Sequence, residues 1–186
     1  MNRYFLLFLF FHFSVIVFGQ TGKISVEKPL EEMTFEEVSQ TVKRLKLASA
    51  ENRDCENLIS LSGKAVEMAE KAYGPDDYLN FGKSIKELAH IHFSCGNAEE
   101  AFEILFKYIK NTGQNSAVTG SLLSFAGRLY GTVGNAKLEL KYNLEGIEMI
   151  KNAVGKENYP YWHSLRYLAS AYHKSGQYEK ALELYL

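Results

Sequence analysis

Apolar side chains recur at three- and four-residue spacing in paired runs along most of this chain. The clearest pair comes last, where Leu165, Leu168, Ala169 and Tyr172 share one face of a predicted helix. A break at residues 174–176 separates this run from a second one. The stripe of the second run consists of Tyr178, Ala181 and Tyr185. Small residues where two antiparallel helices would meet, and a glycine in the break, predict a helix–turn–helix unit.

The same paired pattern occurs three more times upstream. Thr34 begins the first unit as a helix N-cap, with Glu37 three residues later to complete a capping box. The turn glycines Gly96, Gly134 and Gly176 are 38 and 42 residues apart. This long period favours a helical solenoid over a generic helix bundle, which would show the 3.6-residue period alone. The predicted units span about residues 34–77, 78–115, 116–157 and 158–186.

These units resemble tetratricopeptide repeats (TPRs), since small residues fall at matching places in each one. The long closing turns, Gly74-Pro75-Asp76 and residues 155–160, are similar to those of 42-residue repeats in kinesin light chains. They look still more like the bacterial arrays that precede a CHAT peptidase domain. The resemblance implies an all-α, right-handed α-solenoid of about four helix–turn–helix units, the last one incomplete. Glu139 stands where the family has a small residue, so we expect unusual packing in the third unit.

The N-terminus is typical of a secretory signal. A short basic head, residues 1–3, precedes the nearly unbroken apolar run Tyr4–Phe18. That run would span about 22 Å as a helix, short of the ~30 Å hydrocarbon core of a membrane. We therefore predict a signal peptide over residues 1–19 and a linker over 20–33, with export to the periplasm or medium. The alternative is an uncleaved segment that tethers the protein to a membrane.

Charge and motifs argue against several functions. The formal net charge is -1, with 21 basic and 22 acidic residues, so no overall field attracts nucleic acid, or a membrane once the signal is removed. The sequence contains no phosphate-binding loop, zinc-protease motif or nucleophile elbow. His90 and His92 would point to opposite sides of a helix and could not chelate one metal. We predict no enzyme activity, no catalytic residues, no metal site and no cofactor.

The chain has two cysteines, and disulfides form in exported proteins. Cys55 and Cys95 fall near the inter-helix turns of adjacent predicted units. A full unit-to-unit spacing would separate them by about 10 Å, beyond the reach of a bond. We therefore expect two independent, partly buried thiols, with a disulfide as the less favoured alternative.

The TPR resemblance also implies a binding surface, because in stacked units the first helices line the concave side. The family's inward positions, carried over to this sequence, are Lys43, Lys83, Lys86, His90, Phe93, Ser121, Ser124, Arg128, His163, Arg166, Ser170, His173 and Lys174. No acid is among them, so we expect an acidic peptide or a carboxyl terminus as the partner, with Phe93 as an apolar contact. Chaperone-binding arrays of this family hold a terminal carboxylate with a lysine–asparagine pair. This sequence has His90, Arg128 and Ser170 where that asparagine would stand, so this clamp is absent. The alternative is that these lysines simply belong to solvated helix surfaces.

Two functions follow as hypotheses. The first is an exported scaffold that binds an extended acidic segment of a partner protein in its concave groove. The second is the N-terminal sensing part of a larger enzyme or signalling protein, such as a CHAT peptidase or a receptor kinase, with its catalytic part beyond residue 186. The last predicted helix stops at Leu186 with its apolar face uncovered. We expect a fragment of a longer protein there, or end-to-end association through this C-terminal edge.

Overall fold

A computed structural model describes residues 16–19, 22–25, 28–47, 54–113 and 116–184. Eight α-helices follow one another within these ranges, in four antiparallel pairs. They are α1 (Phe35–Lys46), α2 (Cys55–Tyr73), α3 (Lys83–Ser94), α4 (Ala98–Asn111), α5 (Ala117–Thr132), α6 (Ala136–Val154), α7 (Tyr159–Lys174) and α8 (Tyr178–Glu183). Each helix packs mainly on its neighbours in the chain, and α5 also contacts α7. The predicted all-α solenoid of helix–turn–helix units is confirmed.

A short hairpin precedes the helices. Strand β1 (Ile16–Gly19) pairs antiparallel with β2 (Gly22–Ser25), and Gly19 faces Gly22 at the turn. These strands contain the end of the predicted signal peptide and the start of the predicted linker, whereas residues 1–15 lie outside the described residues. A 3-10 helix (Leu30–Glu32) then leads into α1. Among the described residues, no helix combines the length and apolar character needed to cross a membrane.

The predicted start and stop signals of the helices, the Thr34 capping box and the turn glycines, are confirmed. The Glu37 amide donates to Thr34 Oγ1 at 3.3 Å, and the Thr34 amide donates to Glu37 Oε2 at 2.6 Å, which completes the capping box. The turn glycines Gly96, Gly134 and Gly176 have φ angles of 88°, 83° and 75°. Residues with a Cβ rarely adopt such angles, so glycine at these positions permits each tight turn.

Within the described residues, the core of the stacked helices consists of three clusters of buried residues. Its central cluster joins α2, α3, α4 and α5, and Ala89, Ala101 and Ala126 are fully buried within it. These alanines let neighbouring helices approach closely, as the small residues of the sequence pattern predict.

Glu139 is accommodated by a glycine on the facing helix. The Glu139 side chain is buried, and its Oε1 accepts a hydrogen bond from Lys174 Nζ at 2.8 Å. A Cβ placed on Gly131 of α5 would lie 2.1 Å from the Glu139 carboxylate carbon. The small residue missing from α6 thus reappears on α5, which keeps the α5–α6 contact close.

Cys55 and Cys95 form a disulfide, with their Cα atoms 5.9 Å apart. The expectation of two independent thiols is therefore wrong. That expectation used the spacing between whole units as the distance between the two cysteines. Cys55 begins α2 and Cys95 directly follows α3, and these two helices pack against each other. The relevant separation is that of adjacent helices, which a disulfide spans readily.

Candidate functional site

The first helices of the second, third and fourth units enclose one pocket of about 390 Å³. Most of its lining side chains are aromatic or basic, so we refer to it as the basic–aromatic pocket. Its lining residues are Tyr78, Leu79, Lys83, Lys86, Glu87, His90, Phe125, Arg128, Tyr159, His163 and Tyr167. They come from α3, α5, α7 and the π-helical turn (Tyr78–Gly82) before α3.

Two tyrosines close one end of this pocket. Tyr78 and Tyr159 each follow a unit-closing glycine by four residues, so they occupy equivalent positions in the second and fourth units. Their ring centroids are 6.1 Å apart in an edge-to-face contact. Asp77 fixes the Tyr78 turn because its Oδ1 accepts hydrogen bonds from the Asn80 and Phe81 amides. The contact joins units that are not neighbours in the chain and makes the inner face a pocket at this end.

Lys86 lies in the wall of the pocket without a carboxylate partner. Its side chain is 8% exposed, and its Nζ donates a hydrogen bond to Tyr78 Oη at 3.3 Å. The same nitrogen lies 4.3 Å from the centroid of the Tyr78 ring. Within the described residues Lys86 forms no salt bridge. Burial, reinforced by the charge of Lys83, lowers the pKa of Lys86 from 10.5 to about 7.

Arg128 brings a guanidinium group to the pocket. Its guanidinium carbon lies 4.5 Å from the Phe125 ring centroid and 5.7 Å from the Tyr167 ring centroid. Arg128 Nε is buried and has no hydrogen-bond partner among the described residues. The rings hold the guanidinium in place, while one of its N–H donors remains unpaired within the described ranges.

His163 lies among these cations as a neutral group. Burial, followed by the charges of Lys86, Arg166 and Arg128, lowers the pKa of His163 to about 4. Its ring contacts Tyr159 and Tyr167, with centroid distances of 5.6 Å and 5.2 Å. The buried Nδ1 has no hydrogen-bond partner in the described part of the chain. A neutral imidazole here offers one donor or acceptor to a ligand.

The charge balance of the pocket favours an anion. Glu87 is its one acidic lining residue, and the Glu87 carboxylate already pairs with Lys46 Nζ. Lys83, Lys86 and Arg128 face the same space, so an entering carboxylate would meet several donors and no unpaired acid among the described lining residues. Within the described residues, no three His, Cys, Asp or Glu side chains cluster closely enough to hold a metal ion.

The pocket brings together five of the thirteen residues that the sequence placed on the inner face. Those that line it are Lys83, Lys86, His90, Arg128 and His163. Lys43 lies next to it, in a cavity of about 120 Å³ between α1 and α3 that Lys83 also lines. Arg166 is exposed on α7, one turn from His163.

The remaining inner-face candidates lie elsewhere. Phe93 packs against the central core cluster. His173 is exposed and contacts the Tyr178 ring with a centroid distance of 5.3 Å, and Lys174 pairs with the buried Glu139. Ser121 and Ser124 are buried rather than open to the groove.

The aromatic half of the pocket is absent from the sequence prediction. Tyr159 falls in the closing turn predicted over residues 155–160, and Tyr78 is the first residue of the second predicted unit; neither was predicted to face the groove, although their shared position after the closing glycine is a repeat signal. Phe125 and Tyr167 lie three residues before Arg128 and four after His163, on the same helix faces. Helical spacing around the predicted basic residues would have found both.

The fold and the inner-face pocket define a solenoid of TPR-like units, an architecture whose extended concave surface serves protein–protein interaction scaffolds. No protein-family model matches the chain. Among curated proteins, Protein KINESIN LIGHT CHAIN-RELATED 2 of Arabidopsis thaliana is 26% identical over 170 residues, covering 88% of this chain and 25% of that protein. The chain thus spans about a quarter of the length of that relative.

Two crystal structures of a candidate kinesin light chain from Podosopora anserina, which has nearly identical TPR-like repeats, share the fold. Both superpose with a TM-score of 0.54 at 19% sequence identity. In one of them, a point variant, the match covers 81% of this chain and 70% of that one, and in the other it covers 85% and 73%. These similarities show that the chain has the fold of TPR-like repeat proteins.

Proposed function

We propose that this protein is an exported, non-enzymatic scaffold whose inner face binds an extended acidic segment of a partner protein. The observation that carries the proposal is the basic–aromatic pocket. Three basic side chains from two different units face one space there, and its single lining acid is paired elsewhere. An isolated solvated lysine would not be buried against a tyrosine, as Lys86 is.

The aromatic walls support a peptide rather than a free ion as the ligand. Tyr78, Tyr159 and Tyr167 offer flat apolar surface beside the charges, which suits the methylene groups and backbone next to an acidic side chain. The cavity beside Lys43 continues from the pocket through the shared residue Lys83. An extended segment could therefore place one acidic side chain in the pocket and continue toward α1.

Export has independent support from the cysteines. A disulfide persists in oxidising compartments outside the cytoplasm, and the two cysteines of the chain are joined in one. The apolar N-terminal run supplies a signal for this route. Protein recovered from its native cell should therefore be found outside the cytoplasm without free thiols, and a reduced cytoplasmic pool would contradict export.

The binding proposal is tested by reversing charge at the rim of the pocket. Lys83→Glu with Arg166→Glu alters two exposed residues on α3 and α7, so the fold should be retained. We expect the affinity for an N-acetylated, C-amidated octaglutamate peptide to fall by about tenfold or more, because repulsion replaces attraction. Isothermal titration calorimetry at fixed ionic strength measures the affinity.

The matched control is Lys107→Glu with Lys110→Glu. Both residues are exposed on α4, away from the pocket, and the change in net charge is the same. This double variant should bind octaglutamate nearly as well as the wild type. Equal losses in both double variants would mean that only overall charge matters, and the proposed site would be wrong.

A further inference from the structure

We propose that one carboxylate of the bound segment enters the basic–aromatic pocket and pairs with Lys86, and that a proton from solvent moves onto the Lys86 amine in the same event. The proposal rests on the proposed function, since it assigns the ligand group and the regulation of that same site. Binding would then be tighter in mildly acidic than in mildly basic surroundings.

The geometry around Lys86 carries this inference. The amine is buried, and it contacts the hydroxyl and ring face of Tyr78. A tyrosine hydroxyl and ring compensate a buried ammonium far less than a carboxylate does, so desolvation favours the neutral amine in the empty pocket. Lys86 nevertheless lines the cavity, and in the proposed complex the entering carboxylate meets its amine there.

The groups that face Lys86 from each side reinforce this state. Lys83 on its own helix lowers the pKa of Lys86 further, after burial, to about 7. Glu87 of α3 is held by Lys46, and Arg128 of α5 adds positive charge. The other titratable lining groups are Tyr78, His90, Tyr159, His163 and Tyr167.

The choice of pH distinguishes proton uptake by Lys86 from proton uptake by these neighbours. The pKa of His163 is about 4. Burial raises the pKa of Tyr78 and of Tyr167, which keeps both phenols protonated. Measurements from pH 7.0 upward also lie well above the ordinary pKa of the glutamates in the probe.

The test is calorimetric titration with the octaglutamate peptide at pH 7.0 and pH 8.5, in buffers of different ionisation enthalpy. The proton count follows from the dependence of the observed heat on the buffer. For the wild type we expect the affinity to fall on the order of tenfold between the two pH values, with uptake approaching one proton at pH 8.5. Ionic strength is held constant, because screening alone would change affinity.

Two variants assign the proton to Lys86. Lys86→Arg keeps a charge at both pH values, and Lys86→Met carries none, so each should abolish proton uptake and flatten the pH dependence. The control is Lys107→Arg, since Lys107 Nζ also lies over a tyrosine ring, 5.6 Å from the Tyr108 centroid, but is exposed. This control should keep the wild-type uptake.

The possible outcomes distinguish the two proposals. If octaglutamate binds the wild type with the same affinity at both pH values, or if uptake persists in both Lys86 variants, the proton-linked pairing is wrong and the scaffold proposal survives. If octaglutamate does not bind the wild type at pH 7.0, the acidic-segment scaffold itself is overturned.

Discussion

Lys86 is the residue whose position was predicted from the sequence but whose buried environment was not. The repeat pattern placed it on the inner face, where the structure indeed has it. Its burial was not predictable, because Tyr78 was not among the predicted inner-face residues, and Arg128 and Tyr167 come from other units. Sequence reasoning could therefore name the charge but not the apolar surroundings that change its chemistry.

This burial has a cost that can be measured. Between pH 7 and 10.5 the unfolded chain holds a proton on Lys86 that the folded protein lacks, so wild-type stability rises with pH across this window. Below pH 7 the buried amine is protonated, so burial of Lys86 then lowers the free energy of unfolding by its full amount. We expect Lys86→Met to raise the free energy of unfolding by about 2 kcal/mol at pH 6 and by less at pH 9.

Urea unfolding at the two pH values checks this expectation, with Lys107→Met as the control. Lys107 is exposed, so its replacement should leave a small and nearly constant difference from the wild type. A Lys86→Met protein that is less stable than the wild type at pH 6 would show that Tyr78 stabilises the ammonium more than burial penalises it.

Glu139 illustrates a second limit at the residue scale. The sequence identified it as a departure from the repeat and indicated unusual packing. The compensation comes from Gly131, eight positions earlier on the facing helix, which the repeat pattern does not mark. Lys174, expected on the inner face, is drawn into the same contact.

At the scale of helices, the sequence was a reliable guide. The helical stripes, the Thr34 cap and the turn glycines all describe local geometry, and each is present in the structure. The error over Cys55 and Cys95 arose one step further, where helices of different units meet. The repeat length gives the spacing along the chain, whereas the disulfide depends on the contact between α2 and α3.

The disulfide should stabilise the first two units. It closes a loop across a sequence separation of 40 residues and ties the start of α2 to the end of α3. We expect the double variant Cys55→Ser, Cys95→Ser to lose about 2–4 kcal/mol of unfolding free energy, chiefly because its unfolded chain is less restricted.

Denaturant unfolding of the oxidised wild type and this variant provides the comparison. Reducing agent should destabilise the wild type by a similar amount and leave the variant unchanged, which separates loss of the bond from the serine substitutions. No response of the wild type to reducing agent would contradict a disulfide between these cysteines.

At the scale of the whole molecule, the arrangement of the stacked units forms the site. Equivalent tyrosines of the second and fourth units meet, and the first helices of three units face one cavity. A repeat pattern gives the order of the units but not the curvature that brings non-neighbouring units together. The concave surface was therefore predictable as a groove, whereas its closure into a pocket was not.

The central claim is that an acidic segment binds in this pocket. Nuclear magnetic resonance of the isotopically labelled protein, titrated with octaglutamate at pH 7.0, locates the contact directly. We expect the largest shifts at the Arg128 side-chain Nε–H and at backbone amides of α3, α5 and α7 near the pocket, with little change in α4. Shifts confined to α4 and α6, or an Arg128 Nε–H signal unmoved at saturation, would contradict the account.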